Sequence, residues 1–221
     1  MIRVLLVDDQ SLLRMGFRLI LDAENDIKVV GEAADGVSGV IMASALHPDV
    51  VLMDIRMPGT DGIQATRSII AADPASKVLI LTTFDVDQYV FAGLKAGASG
   101  FILKDTPPAE LLTAIRTVAV GDSVLAPTAT RRLIDQFAPL LPDPARQQDR
   151  DALLSKLSDR ERTVLFELAA GRSNREIAAN LHLSEGTVKL HIGRILTKLD
   201  LRDRVQAVVM AYESGLITPG N

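Results

Sequence analysis

The sequence predicts an α/β domain built on a five-stranded, all-parallel, doubly wound sheet, followed by a smaller all-α domain of four helices. Three observations predict it. Within residues 1–120, short apolar runs alternate five times with amphipathic stretches. Four prolines, Pro127, Pro139, Pro142 and Pro144, then interrupt residues 121–154, of which 143–150 are polar with no apolar period. Beyond that segment, four stretches of helical periodicity follow one another with no strand between them. The expected limits are 1–120 for the first domain, 121–154 for a linker and 155–221 for the second domain.

Residues 2–7 form a short apolar strand, and Leu13, Phe17, Ile20 and Leu21 then fall at i, i+4, i+7 and i+8, one helix face. Residues 27–33 form a second strand, and a helix over 36–46 stops before His47-Pro48. Residues 50–53 are the third strand, and residues 61–71 a helix with Ile63, Ile69 and Ile70 among its apolar positions. Residues 77–82 are the fourth strand, followed by a helix over 86–96 that ends at Gly97. Residues 100–103 are the fifth strand. Pro107-Pro108 then open a helix to about Val120, since proline is tolerated in a first helical turn. Strands alternating with helices imply right-handed βαβ crossovers. Five such units in this length point to the flavodoxin-like arrangement. In the middle, residues 130–137 fit one short helix, and 138–151 read as an extended tether.

Composition narrows the function classes. Hydrophobic residues make up 48% and charged residues 24%, ordinary values for globular protein. No run approaches the roughly 18 uninterrupted apolar residues of a membrane span, so no membrane partner is expected. The apolar run at the N-terminus is short and ends in carboxylates, which does not fit a secretory signal. The absence of cysteine rules out disulfides, thiolate metal sites and a thiolate nucleophile. A cytoplasmic protein fits best. His47, His182 and His191 show no metal-ligand grouping. Charge is uneven: residues 1–120 carry 10 Lys+Arg against 15 Asp+Glu, whereas residues 155–221 carry 10 against 8. An acidic first part and a mildly basic last part suggest a division of labour.

The polar residues at strand ends carry the chemistry. The apolar run 50–53 leads straight into Asp54, ahead of a Met57-Pro58-Gly59 break. Taken alone, Asp54 is equally well explained as the start of a turn. Its neighbours in the predicted sheet decide. The first strand ends at Asp8-Asp9, the third at Asp54, the fourth at Thr82-Thr83 and the fifth at Lys104. In parallel α/β sheets this edge is where ligands sit. Three carboxylates brought together repel one another, and such a cluster usually holds a cation. All-oxygen ligation points to Mg²⁺. A lysine and a hydroxyl beside it suit the oxygens of a phosphoryl group, and the carboxylate between them can act as nucleophile to form an aspartyl-phosphate.

Residues 1–120 resemble the receiver domain of two-component response regulators. The Asp-Asp pair matches Asp8-Asp9, and the phosphoacceptor matches Asp54 within Met53-Asp54-Ile55-Arg56-Met57-Pro58-Gly59. The hydroxyl matches Thr82, the lysine Lys104 and the switch aromatic Phe101. The separations, 45 from Asp9 to Asp54, 28 on to Thr82 and 22 on to Lys104, are as in that family. The resemblance implies that Asp9, Asp54 and the backbone carbonyl of Arg56 hold Mg²⁺, with Asp8 helping through water. It implies a phosphohistidine on a sensor histidine kinase as donor. Thr82 would move inward on phosphorylation and Phe101 would follow. That would alter the face formed by the helix over 86–96, the fifth strand and the next helix. Phenylalanine in place of the usual tyrosine excludes any part for a phenolic hydroxyl. Phe101 also fits a plain core aromatic.

In the last part, Ser158 and Glu161 fit a capping box before a helix to Ala170. Asn174 reads as the cap of a short helix to Leu181, His182-Leu183-Ser184 as a turn, and Ser184 as the cap of a helix over 185–199. A final helix covers about 203–214. On a helical wheel, Val188, Ile192, Ile195, Leu196 and Leu199 form the core stripe. Leu190 and Thr197 lie opposite, with Thr187, Lys189, Gly193 and Arg194 around them. A leucine beside basic residues suits a DNA major groove, where apolar contact can read a thymine methyl and cations meet phosphates. The wheel alone equally fits a solvated face with one stray leucine. Residues 157–217 resemble the LuxR-type helix-turn-helix domain through Leu157–Glu161, Gly171–Ala178 and Leu183–Ile192. A receiver joined to such a domain is the arrangement of the NarL/FixJ family. The resemblance implies base contacts from Lys189, Leu190 and Gly193, backbone contacts from Thr187, His191 and Lys198, and further contacts from Ser184 and Arg194. Glycine at 193 is a departure that removes one base contact. The family dimerises through its last helix, here carrying Val205, Val208, Val209 and Tyr212, four residues that equally fit an internal stripe.

The expected function is a DNA-binding transcriptional regulator controlled by phosphorylation at Asp54. It would bind double-stranded promoter DNA as a homodimer and catalyse nothing beyond its own phosphorylation and dephosphorylation. An aspartyl-phosphate phosphohydrolase would use a similar pocket. Such enzymes place a second acid two residues after the nucleophile, where this chain has Arg56. A regulator that binds DNA without phosphorylation is a third reading, and the complete acidic set argues against it.

Overall fold

Strands β1 (Ile2–Val7), β2 (Ile27–Ala33), β3 (Val50–Asp54), β4 (Lys77–Thr82) and β5 (Gly100–Leu103) form one sheet in the order β2-β1-β3-β4-β5. All four pairings are parallel. This is the flavodoxin-like order, with its switch point between β1 and β3. The computed structural model describes residues 1–82, 92–121, 154–214 and 216. The chain divides into two compact units, Met1–Val124 and Leu125–Asn221. Most of the expected helix over 86–96, and the expected linker with its short helix, lie outside the described residues.

In the first unit α1 (Ser11–Asp22) follows β1, α2 (Gly36–Leu46) follows β2, α3 (Gly62–Ala72) follows β3, and α4 (Pro108–Ala119) follows β5. Because helices cover both faces, the interiors of the central strands, residues 4–7, 50–53 and 78–81, are apolar throughout. Every residue of β3 is buried, including Asp54, which closes that strand. Side chains alternate between two cores. Leu6, Leu52, Leu79 and Leu81 meet Phe17 and Leu21 of α1 and Leu111 and Ile115 of α4. Leu5, Val51, Met53 and Ile80 pack on the opposite face with Ala43 of α2 and Ala65 and Ile69 of α3. Local chemistry sets the helix starts: Asp35 caps α2 through the Ser38 amide at 2.9 Å, and Asp61 caps α3 through the Gln64 amide at 2.8 Å.

The second unit contains α5 (Asp159–Ala169), α6 (Asn174–Leu181), α7 (Glu185–Leu199) and α8 (Arg204–Glu213). They close on one core that includes Leu165, Leu168, Ile177, Val188, Ile195 and Val208. Ser158 caps α5 in a reciprocal box with Glu161, as expected. One cap differs. Ser173, not Asn174, caps α6: its hydroxyl accepts from the Glu176 amide, and the Glu176 carboxylate accepts from the Ser173 amide at 2.8 Å. Asn174 instead accepts from Arg204 Nη1 at 2.7 Å, which ties α6 to α8. Among the described residues no helix is long and apolar enough to cross a membrane.

Candidate functional site

The C-terminal ends of β1, β3, β4 and β5 bring the first site together. Lys104 follows β5, and its main-chain amide donates to the Thr82 carbonyl at 2.8 Å, which ties the ends of β4 and β5. The Lys104 Nζ reaches Asp8 Oδ2 at 2.7 Å and Asp54 Oδ2 at 2.9 Å. Asp8, Asp54 and Thr82 are buried, whereas Asp9 is exposed. Oxygens of Asp8, Asp9 and Asp54 lie within 4.8 Å of one another. The Asp8 Oδ1 also accepts the Gln10 amide at 2.8 Å. The Arg56 amide approaches Asp54 Oδ1 at 3.4 Å, which sets the main chain of Arg56 at the rim. Phe101, within β5, is half-buried against the core on the α3 side.

The α3 side of the pocket is tight. The Gly62 amide donates to the Ile55 carbonyl at 2.9 Å, and a β-carbon at Gly62 would stand 1.9 Å from the Asp54 carbonyl oxygen. No residue but glycine fits so close an approach, and that approach fixes the backbone from which Asp54 projects.

Burial pushes the Asp54 carboxyl above the ordinary carboxylate value, against the pull of the Lys104 ammonium. For Lys104, burial acts downward, but its bonds to Asp8 and Asp54 outweigh it and hold the ammonium above its usual value. The formal charge of three carboxylates and one ammonium is −2. A divalent cation neutralises it, and an all-oxygen donor set suits Mg²⁺. The residues present therefore fit that ion.

On the second unit, α7 turns its outward side to solvent. Leu190 is 54% exposed, and Lys189, Gly193, Arg194, Thr197 and Lys198 are exposed beside it. All six of these residues line an open groove of about 700 Å³ together with Glu161. A β-carbon at Gly193 would meet nothing within 4 Å, so this glycine leaves a notch in the groove rather than serving the packing. The Ser184 hydroxyl accepts the Thr187 amide at 3.1 Å and lies 2.8 Å from the Thr187 hydroxyl. Both hydroxyls thus belong first to the helix cap. The His191 Nδ1 is buried without a hydrogen-bond partner among the described residues. The Lys198 Nζ sits 2.6 Å from the buried Glu161 carboxylate, which also accepts the Ser158 amide at 2.8 Å. These two bonds hold the Glu161 carboxyl down at about 2. Sequence reasoning took Glu161 only as a cap; its spacing from Lys198 carries no local signal.

Of the residues expected to serve a dimer, Val205, Val208 and Val209 are 0%, 7% and 6% exposed. Val208 belongs to the core of the second unit. In this state the three valines offer almost no surface to a partner. The side chain of Tyr212 lies outside the described residues.

Comparison with known proteins places both sites in context. Residues 4–116 match the response regulator receiver domain, and residues 155–211 match the bacterial regulatory proteins of the luxR family. The chain is 44% identical to the uncharacterized transcriptional regulatory protein YxjL of Bacillus subtilis, over 98% of this chain and 97% of that one. It is 40% identical to the transcriptional regulatory protein LiaR of the same organism, over 98% and 100%. Among solved structures it resembles the response regulator ChrA of a heme-sensing two-component system. There the identity is 41%, 98% of each chain is covered, and the TM-score is 0.53. A pocket of three carboxylates and a lysine on a flavodoxin-like sheet, and a luxR-family helical unit after it, are thus found in one chain, which belongs to the response regulators that couple a receiver to a LuxR-type DNA-binding domain.

Proposed function

We propose that Asp54 is the phosphoacceptor of this regulator and that its phosphorylation by a sensor histidine kinase controls binding of the second unit to double-stranded promoter DNA. The observation that carries the reading is Lys104 Nζ bridging Asp8 and Asp54 at 2.7 and 2.9 Å, with Thr82 at the adjoining strand end. A carboxylate oxygen of Asp54 attacks the phosphorus of a phosphohistidine. The new O–P bond forms as the P–N bond breaks, and the imidazole nitrogen keeps the electron pair. Asp9, Asp54 and the Arg56 carbonyl, with Asp8 behind them, would hold Mg²⁺, which would supply positive charge against the phosphoryl oxygens. Lys104 then leaves the Asp54 carboxylate for a phosphoryl oxygen, Thr82 donates its hydroxyl to another, and Phe101 turns toward the space Thr82 vacates.

We assign DNA contact to the outward side of α7. Lys189, Leu190 and the notch at Gly193 face bases, with Arg194 beside them. Ser184, Thr187, His191 and Lys198 serve the sugar-phosphate backbone. We read the domain limits as 1–120, 121–154 and 155–221, the location as cytoplasmic, and the DNA-bound form as a homodimer. A dimer through α8 requires Val205, Val208 and Val209 to become exposed first.

Moving the binding-competent fraction from 1% to 99% would need roughly 5.5 kcal/mol of differential stabilisation. The test compares wild type with Asp54→Asn, each incubated with Mg²⁺ and a small acyl-phosphate donor. Wild type should take up one phosphoryl group per chain and gain affinity for its promoter DNA, while Asp54→Asn should do neither. Steady turnover of a phosphate monoester would favour a phosphohydrolase. Equal binding of promoter DNA by phosphorylated wild type and by Asp54→Asn would refute the switch.

A further inference from the structure

We propose that Arg14 is a positioning residue for the cation ligands Asp8 and Asp9, acting through the peptide plane that joins them. The proposal rests on the reading of the acidic pocket as a Mg²⁺ site.

Arg14 belongs to α1, which packs beside the pocket and contributes no ligand to it. Its side chain is only 16% exposed, and it turns back toward the end of β1 rather than out to solvent. The Arg14 Nη1 donates to the main-chain carbonyl of Asp8 at 2.5 Å. Its Nε lies 3.5 Å from Glu32 Oε2, in the strand beside β1. Glu32 is braced in turn by Arg18 Nη1 at 2.5 Å, and Arg18 Nε lies 3.2 Å from Asp22. The guanidinium therefore joins the end of β1 to the edge strand and to the outer side of α1.

The carbonyl that Arg14 holds is the one position from which both ligands can be set at once. The Asp8 carbonyl belongs to the planar unit that contains the α-carbons of Asp8 and Asp9. Holding its oxygen orients that plane and so restricts, through ψ of Asp8 and φ of Asp9, the directions in which both side chains leave the backbone. Asp8 is held independently, by the Gln10 amide and by Lys104. Asp9 is not: it is exposed, and among the described residues no partner holds its carboxylate. Asp9 owes its aim to the backbone, and Arg14 fixes that backbone. Supporting groups of this kind commonly tune metal affinity about 10–100-fold. A plain surface ion pair is the competing explanation. It predicts an effect on stability alone.

The two are separated by Mg²⁺ titration of the full chain without phosphodonor, followed by amide NMR shifts, for wild type, Arg14→Met and Arg14→Lys. Unfolding midpoints are measured alongside in chelator. Arg14→Met should weaken Mg²⁺ binding about tenfold or more, and Arg14→Lys, which keeps one donor, should recover part of the loss. The unfolding midpoints without metal should stay close to wild type. Unchanged Mg²⁺ affinity in Arg14→Met, with or without a lower midpoint, overturns the proposal. If Arg14→Met does not fold, Glu32→Gln, which loosens the far end of the same guanidinium, should still weaken Mg²⁺ binding several-fold, and no change there overturns it. Wild type that binds no Mg²⁺ at Asp8, Asp9 and Asp54 would instead bring down the reading of the pocket itself.

Discussion

At the scale of single residues, the pocket depends on one small residue as much as on its charged ones. A β-carbon at Gly62 would stand 1.9 Å from the Asp54 carbonyl oxygen. Gly62→Ala must therefore displace either α3 or the end of β3, and overpacking of this kind costs about 1–3 kcal/mol. Denaturant unfolding should report that loss. Phosphate uptake by Asp54 should fall as well, because the displaced backbone is the one that aims the carboxylate. Asp8, Asp9, Asp54, Thr82 and Lys104 were legible from the sequence because a strand end is a position that periodicity can locate. Gly62 and Arg14 were not. Their importance comes from distances to residues eight and six positions away, which no period encodes.

At the scale of elements, the helix starts of the second unit are local chemistry and were mostly readable. The exception is α6. Ser173-Asn174-Arg175-Glu176 offers two cap candidates in a row, and the reciprocal bonds of Ser173 and Glu176 decide between them. Ser173→Ala should cost about 1 kcal/mol in denaturant unfolding, while Asn174→Ala should act through Arg204 instead. The Lys198–Glu161 pair ties α7 to α5 and has a pH signature. The folded-state carboxyl of Glu161 lies at about 2, below its ordinary 4.5. A depressed carboxylate stabilises the fold fully above the unfolded value and loses that contribution as pH falls toward the folded one. Stability should thus fall between about pH 4.5 and 2 in wild type. In Glu161→Gln, acid titration of unfolding should show a smaller slope in that window, from a lower plateau at neutral pH.

At the scale of the whole molecule, the two units divide the work as their charges suggest, with −5 over residues 1–120 and +2 over residues 155–221. DNA binding should weaken with salt in proportion to the phosphates neutralised. Lys198→Gln, at a sugar-phosphate contact, should reduce the slope of log affinity against log salt by about 1. Leu190→Ala should lower affinity with the slope unchanged, because an apolar contact releases no counterion. Filter binding or fluorescence anisotropy across a salt series separates the two. Equal slopes in wild type and Lys198→Gln would remove that lysine from the phosphate contacts.

The sequence by itself determined the features that period and local chemistry dictate: the parallel sheet, the strand ends that carry the pocket, most of the helix caps, and the outward side of α7. Apolar patterning encodes these because every residue's face is set by its neighbours along the chain. Only the tertiary structure decided how groups distant in sequence meet. It placed Lys104 between Asp8 and Asp54, set Gly62 against the Asp54 carbonyl and turned Arg14 back onto Asp8. It also joined Lys198 to Glu161 and buried Val205, Val208 and Val209, which the last helix had left open between core and partner. The physical reason is the same in each case. A stripe of apolar residues states that a face is covered, and a charge states that it needs a partner. Which group meets that need depends on the packing of elements far apart in the chain.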